Sequence, residues 1–276
     1  MIPHNLPTIG KEEEDAALRV LRSKQLSQDA EVELFENEFC DYLGLSRGSA
    51  VALSNGTSSL FMALKILNAK GKKILFPGYV CSALRHAVSM AGGIENTVDV
   101  EPNSPNLNMS IIKQNLPDIS IIPHMYGIPV QIDADDTLVI EDCCQALGAK
   151  VKNQMVGLFG DVAIFSFYAT KLMTSGGQGG MFVSKNQEYV DAVRDYREFD
   201  LRNDSEKRFN FKMTDLQAAI GRVQLKKLPY FLKRREEIFQ YYKKSGLDLL
   251  DIDDELRGIL EPVRYRAILK TKNPRK

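Results

Sequence analysis

No CxxC spacing links the four cysteines, Cys40, Cys81, Cys143 and Cys144, and the three histidines, His4, His86 and His124, are scattered. A structural zinc site, which needs clustered ligands, is therefore not expected. An excess of one charge is missing too: 36 Lys and Arg balance 36 Asp and Glu. Nothing global favours nucleic acid or an anionic membrane as a partner. No apolar run approaches a membrane span, and the opening MIPHNLPTIG lacks the basic and apolar regions of a signal peptide. A cytoplasmic protein with reduced thiols is expected. Cys143 and Cys144 are adjacent at a strand end, so their side chains should take opposite faces and serve packing.

What is present is a chain of 276 residues, 44% apolar, enough for one large α/β domain or one plus a small appendage. Helices are expected from Lys11 to about Ser23, with acid in the first turn, and from about Ala30 to Tyr42, closed by Gly44. From about Ala50 strands and helices alternate. Strands are expected at Val51–Ser54, Lys73–Phe76, Ile94–Val98, Ile119–Pro123 and Leu138–Glu141. Helices fall between the first three of them. Such alternation implies a mainly parallel central sheet with helices on both faces and ligands beyond the strands' carboxyl ends. Later come a helix from about Gln187 to Phe199 and a polar loop, Asp200 to Phe211. A helix capped by Thr214 and Gln217 should run to about Lys227, with another starting at Pro229. The basic tail RYRAILKTKNPRK reads as a frayed, solvated terminus.

The stretch DVAIFSFYATKLMTSGGQGGMFVS, Asp161–Ser184, reads as two apolar strands around a glycine-rich excursion that carries Lys171. A lysine beside buried strands is partly desolvated. That lowers its pKa and frees the amine to attack a carbonyl.

Four further features fall where α/β sheets build sites. The Asn55–Ser58 turn opens a helix; Gly56, Thr57 and Ser58 there either cradle a phosphate or simply cap the helix. Asp142 ends a strand, with Gln145 three residues on; it either holds a proton on a heterocyclic nitrogen or starts a turn. Ser166 either reaches the same phosphate or bonds to backbone. His124, in PHMYG, is most simply structural. Phosphate cradle, pyridinium carboxylate and Schiff-base lysine together describe pyridoxal 5'-phosphate.

The chain resembles the DegT/DnrJ/EryC1/StrS family of sugar aminotransferases. The resemblance lies in SNGTSSLFMAL (54–64), PHMYG (123–127), VIEDCCQALGA (139–149), GDVAIFSFYATKLMTSGGQGG (160–180) and FNFKMTDLQAAIGRVQLKKL (209–228). It implies the fold-type I, aspartate-aminotransferase-like architecture: a large cofactor-binding domain at 1–230, with N-terminal helices at 11–43, and an abbreviated C-terminal segment at 231–276. It implies that Lys171 carries the Schiff base and Asp142 pairs with the pyridine nitrogen. Gln145 would lie against the ring hydroxyl, and Thr57, Ser58 and Ser166 would bind the phosphate. Asn210 would reach a neighbouring subunit's site, so a homodimer is expected. The implied substrates are an amino-acid donor, usually glutamate, and a nucleotide-linked keto-deoxysugar.

Three departures stand out. Cys81, with Tyr79 nearby, occupies the position where the family usually stacks an aromatic ring on the cofactor. Lys212 replaces an arginine. The third and most serious is the abbreviated C-terminal segment; Gln178 in place of a glutamate is a smaller change. The short C-terminal segment raises a second reading, a non-catalytic or impaired cofactor-binding relative. A third is a dehydratase of the same family, but those members generally carry histidine in place of the lysine. A nicotinamide-dependent enzyme is not expected, because Gly176–Gly180 precedes a strand instead of opening a helix.

Overall fold

The computed structural model describes residues 5–133 and 137–272; His4 and the last four tail residues lie outside them. Two N-terminal helices, α1 (Lys11–Ser23) and α2 (Ala30–Leu43), precede the alternating body. The body runs β1 (Ala50–Leu53), α3 (Gly56–Ile66), β2 (Lys73–Pro77), α4 (Ala83–Met90), β3 (Ile94–Val98), α5 (Met109–Asn115), β4 (Ile119–Pro123) and β5 (Leu138–Asp142). A small hairpin, β6 (Lys150–Val151) and β7 (Gln154–Met155), leads to β8 (Val162–Ser166) and β9 (Gly180–Val183). Then follow α6 (Gln187–Arg197), α7 (Asp215–Lys244) and β10 (Leu260–Glu261).

Seven strands form one sheet in the order β1-β9-β8-β5-β4-β2-β3. β8, β5, β4, β2 and β3 pair in parallel, and β9 runs antiparallel between β1 and β8. The expected α/β class with a mainly parallel sheet is the one observed. Side chains alternate between two cores, as the strand period requires. Ala50, Ala52, Ala163, Phe165 and Met181 face α2 and α7; Val51, Leu53, Ile140, Val162, Ile164 and Phe182 face α3, α4 and α6.

Two expectations are corrected. Pro229 does not start a new helix: α7 is one helix of 30 residues with the proline inside it. Proline removes one ladder N–H and crowds one carbonyl. Leu225, Leu228 and Phe231 stay buried along one face, and that packing carries the helix across the defect. The expected domain boundary at 230/231 therefore falls inside α7. Nor is the tail frayed over its described length. Leu250 N–H bonds to Ile268 O and Lys270 N–H to Asp248 O, each at 2.8 Å, and Val263 N–H bonds to Gly127 O at 3.0 Å. Val263 and Tyr265 are buried in the core beneath α2 and α7.

Candidate active site

The alternation that points Ile140 and Ile164 toward α3 also points Asp142 and Ser166 there, two residues on, past the carboxyl ends of β5 and β8. Both line a cavity of about 560 Å³ together with Gly56, Thr57, Cys81, Gln145 and Lys171. The amine and the carboxylate thus share one cavity on one side of the sheet. Asp142 is 7% exposed, and its Oδ1 accepts the Cys144 N–H at 3.0 Å.

The start of α3 shapes one wall. Asn55 caps it: its Oδ1 accepts Ser58 N–H at 2.8 Å, and Ser58 Oγ donates to Asn55 O at 2.7 Å and accepts Asn55 N–H at 3.1 Å. The Ser58 hydroxyl is thereby spent on the cap. Gly56 and Thr57 N–H have no hydrogen-bond acceptor among the described residues, and Thr57 is exposed. They supply free donors at the positive end of the helix dipole. Glycine is needed at 56 because a Cβ would lie 2.9 Å from Ser166 Cβ. It is needed at 180 because a Cβ there would lie 2.3 Å from Asn55 O. These two contacts press the helix start against β8 and β9.

Lys171 sits on a self-clamped excursion. Phe167 N–H bonds to Gly179 O at 2.8 Å, Ala169 N–H to Gly177 O at 3.1 Å, and Ser175 Oγ donates to Gln178 O at 2.7 Å. The amine is half-buried, 5.5 Å from the centre of the Tyr265 ring, and makes no hydrogen bond or ion pair among the described residues. Here the expected lowering of its pKa is corrected. Burial does push the ammonium down, but the acidic groups around it, Cys144, Tyr265, Asp142 and Cys81, outweigh burial, and the pKa lies above the ordinary lysine value. Desolvation alone was the wrong guide because the same cavity gathers groups that favour the cation.

Gln145 has a backbone partner: its Oε1 accepts Tyr126 N–H at 2.8 Å. That bond helps hold Tyr126 at φ 57°, a left-handed conformation uncommon for tyrosine. Tyr126 O in turn accepts Tyr265 N–H at 3.3 Å, so Gln145 ties the cavity to the C-terminal segment. The Tyr126 hydroxyl meets that of Tyr79 at 2.5 Å. Cys81 is exposed at the cavity wall. Asn210 is exposed and does not line its own chain's cavity, whereas Phe211 does. Lys212 turns to Glu198, at 2.5 Å.

His124 is structural. Its Nδ1 accepts Val130 N–H at 3.0 Å, so the ring proton sits on Nε2, which meets Glu141 Oε2 at 3.1 Å. Cys143 Sγ completes a group of ligand-type atoms within 4.8 Å of one another. Both ring nitrogens are already committed, and burial holds the Cys143 thiol well above its ordinary pKa. That donor set does not suit a metal. Cys143 packs in the α2/α7 core as expected, but Cys144 faces the cavity, which packing alone did not suggest.

Tyr265 is the residue the motifs missed. It lies 94 positions beyond Lys171, outside every segment that carries the family resemblance. The fit to pyridoxal phosphate rests on three features of this chain. They are the free Gly56 and Thr57 amides in a close-packed cradle, the Asp142 carboxylate on the same side, and an unpaired lysine lining the same cavity.

The chain is similar to known proteins in sequence and in fold. Residues 7–258 match the DegT/DnrJ/EryC1/StrS aminotransferase family. An uncharacterized protein of Methanocaldococcus jannaschii is 31% identical over 95% of this chain and 72% of its own length. GDP-perosamine synthase of Escherichia coli O157:H7 is 28% identical over 97% of this chain and 78% of its own. The crystal structure of the aminotransferase TlmJ from Streptoalloteichus hindustanus superposes with a TM-score of 0.88 at 24% identity, over 97% of this chain and 78% of that one.

Proposed function

Because the chain belongs to the DegT/DnrJ/EryC1/StrS aminotransferase family, we propose that it moves an amino group from an amino-acid donor, glutamate foremost, to a nucleotide-linked keto-deoxysugar, with pyridoxal 5'-phosphate as cofactor. The observation that carries this reading is the shared cavity of Lys171, Asp142 and the Gly56–Thr57 amides. Pyridoxal phosphate bound there supplies an aldehyde for amine exchange and a ring that delocalises the electron pair left when a carbon loses its proton.

The chain's own residues do the rest. The Gly56 and Thr57 N–H groups, with the Thr57 and Ser166 hydroxyls, hold the phosphate; Ser58 contributes by fixing the turn. Asp142 holds a proton on the ring nitrogen, where its negative charge favours the protonated form. Lys171 Nζ is the amine that would hold the cofactor's aldehyde carbon, and when free of it would serve as the base that takes a proton from the substrate carbon and as the acid that returns it to the neighbouring position. The exposed Asn210, turned off its own cavity, is offered to a neighbouring subunit, which supports a homodimer with a shared site. The four unpaired cysteines suit the cytoplasm. Among the described residues no helix is long and apolar enough to cross a membrane.

The test is the visible spectrum of the purified, cofactor-loaded protein before and after glutamate. A yellow absorbance that bleaches on adding glutamate is expected, and Lys171→Ala should abolish both colour exchange and turnover. Near-normal transamination by Lys171→Ala without added amine would overturn the assignment.

A further inference from the structure

Lys171 lines a second cavity as well, of about 470 Å³, on its other side. This cavity is walled by the N-terminal strap at Leu6 and Pro7, by α7 at Tyr230 and Phe231, and by the C-terminal segment at Tyr265. Its charged lining is of one sign. Arg234, Arg235, Arg264, Arg266 and Lys171 contribute, and no Asp or Glu does among the described residues.

The five cations are not equivalent. Arg264 is neutralised by Glu236 at 2.7 Å and Asp251 at 2.6 Å. Arg234 is paired with Glu237 at 3.0 Å. Arg235 has no carboxylate partner among the described residues: its guanidinium donates only to the carbonyls of Arg264, at 3.3 Å, and Tyr265, at 3.1 Å. Arg266 likewise donates only to the Tyr265 carbonyl, at 3.3 Å, and stacks on the Tyr265 ring at 4.5 Å. Lys171 lies over the same ring. Burial and the like charge of Arg266 both hold the Arg235 pKa below its ordinary value, the sign of a cation lacking its counter-ion.

An isolated guanidinium in a half-buried wall is costly unless an anion meets it. Two of them beside a reactive amine, in a cavity without acid, form a receptor for an oxyanion. We propose that this second cavity binds an oxyanion of a substrate, a diphosphate or a carboxylate, while Lys171 engages the reacting end. Arg266 makes the principal contact, and Arg235 shares the anion while also holding the C-terminal segment by its carbonyls. The nucleotide sugar's diphosphate and the donor's distal carboxylate carry this shared chemistry. The inference builds on the amine-transfer reading for the role of Lys171, and its test is independent of that chemistry.

The experiment is calorimetric titration of the full chain, without cofactor, using inorganic pyrophosphate and glutarate as probes. At least one probe should bind, and its Kd should rise about tenfold or more in Arg266→Gln. The Kd should also rise with added sodium chloride. Pyrophosphate as the tighter probe assigns the cavity to the nucleotide sugar; glutarate assigns it to the donor. Arg266→Gln gives up one carbonyl contact and its stacking on the Tyr265 ring, so its melting temperature should fall only slightly; Arg235→Gln, which loses two carbonyl contacts to the C-terminal segment, should both weaken binding and lower that temperature further. Failure of both probes to bind, or a Kd indifferent to Arg266→Gln, overturns the proposal. Probe binding that survives in Lys171→Ala upholds the anion site even if the transaminase reading fails. A colour that responds to glutamate in a protein that binds neither probe leaves the transaminase reading standing and removes the anion site.

Discussion

Glu141 and Asp142 are consecutive carboxylates on β5, yet they face opposite sides of the sheet and do different work. Glu141 is fully buried, and its oxygens accept the N–H groups of Gly157 at 2.7 Å, Phe159 at 2.6 Å and Gly160 at 2.7 Å, besides meeting His124 Nε2. Its hydrogen-bonding capacity is used up in closing a turn and fixing the loop after β4. Asp142 takes one backbone N–H and turns to the cavity that holds Lys171. A buried charge that is saturated with donors organises structure. A charge with spare capacity, beside an unpaired cation in a cavity, is available for chemistry.

Glu141→Gln is the most disruptive way to break this comparison. The amide turns two N–H donors toward groups that already donate, so at least one buried donor loses its partner. Stability should fall by about 3–5 kcal/mol in chemical denaturation. A loss under about 1 kcal/mol would mean that the Glu141 contacts are not what fixes the loop. Asp142→Asn sharpens the contrast from the other side. Turnover of the cofactor-loaded enzyme should drop on the order of 10²–10³, while stability changes by less than about 1 kcal/mol, the worth of one hydrogen bond. If Asp142→Asn cost as much stability as Glu141→Gln and left turnover intact, the two roles would have to be exchanged.

How far the sequence foretold this division depends on the range of the contact. The strand period alone sends Asp142 and Ser166 to the face of Ile140 and Ile164, because alternation is local. The Asn55–Ser58 turn was legible as a helix start for the same reason, although which hydroxyl the cap consumes depends on geometry within a single turn. His124 was read as structural, but its partner Glu141, on the neighbouring strand, was not foreseen. Tyr265, Arg235 and Arg266 line one cavity with Lys171 only because α7 and the returning tail cross the body, and no local pattern encodes that path. Pro229 misled because propensity was weighed without the buried face of α7. The direction of the Lys171 pKa misled because burial was counted without Cys144 and Tyr265, which are remote in sequence.

Gly56→Ala probes the wall that the Asp142 face shares with α3. The added methyl would stand 2.9 Å from Ser166 Cβ and 3.4 Å from Cys144 Sγ. Relief requires the helix start to move off β8, at about 1–3 kcal/mol. Because the free amides move with it, affinity for cofactor should fall in parallel with stability. An unchanged cofactor affinity, measured by titrating the colour, would show that the amides at 56 and 57 do not hold the phosphate.

The smallest expected effect is the pH dependence that Glu141 contributes. Burial would raise its pKa, but the hydrogen bond from His124 and those from the Gly157 and Gly160 N–H groups outweigh burial and hold it below the ordinary value of 4.5. The folded state therefore binds this proton less readily than the unfolded chain does. Its stabilising contribution is complete above the unfolded value and is lost as pH falls through the lower, folded one. Denaturation midpoints measured between pH 7 and pH 3 should fall for the parent as acid is added. In Glu141→Gln the fall below about pH 4.5 should be shallower, because that proton no longer differs between the two states. Equal slopes in the two proteins would show that Glu141 binds its proton alike when folded and unfolded, and the saturated carboxylate would then lose its distinction from its neighbour.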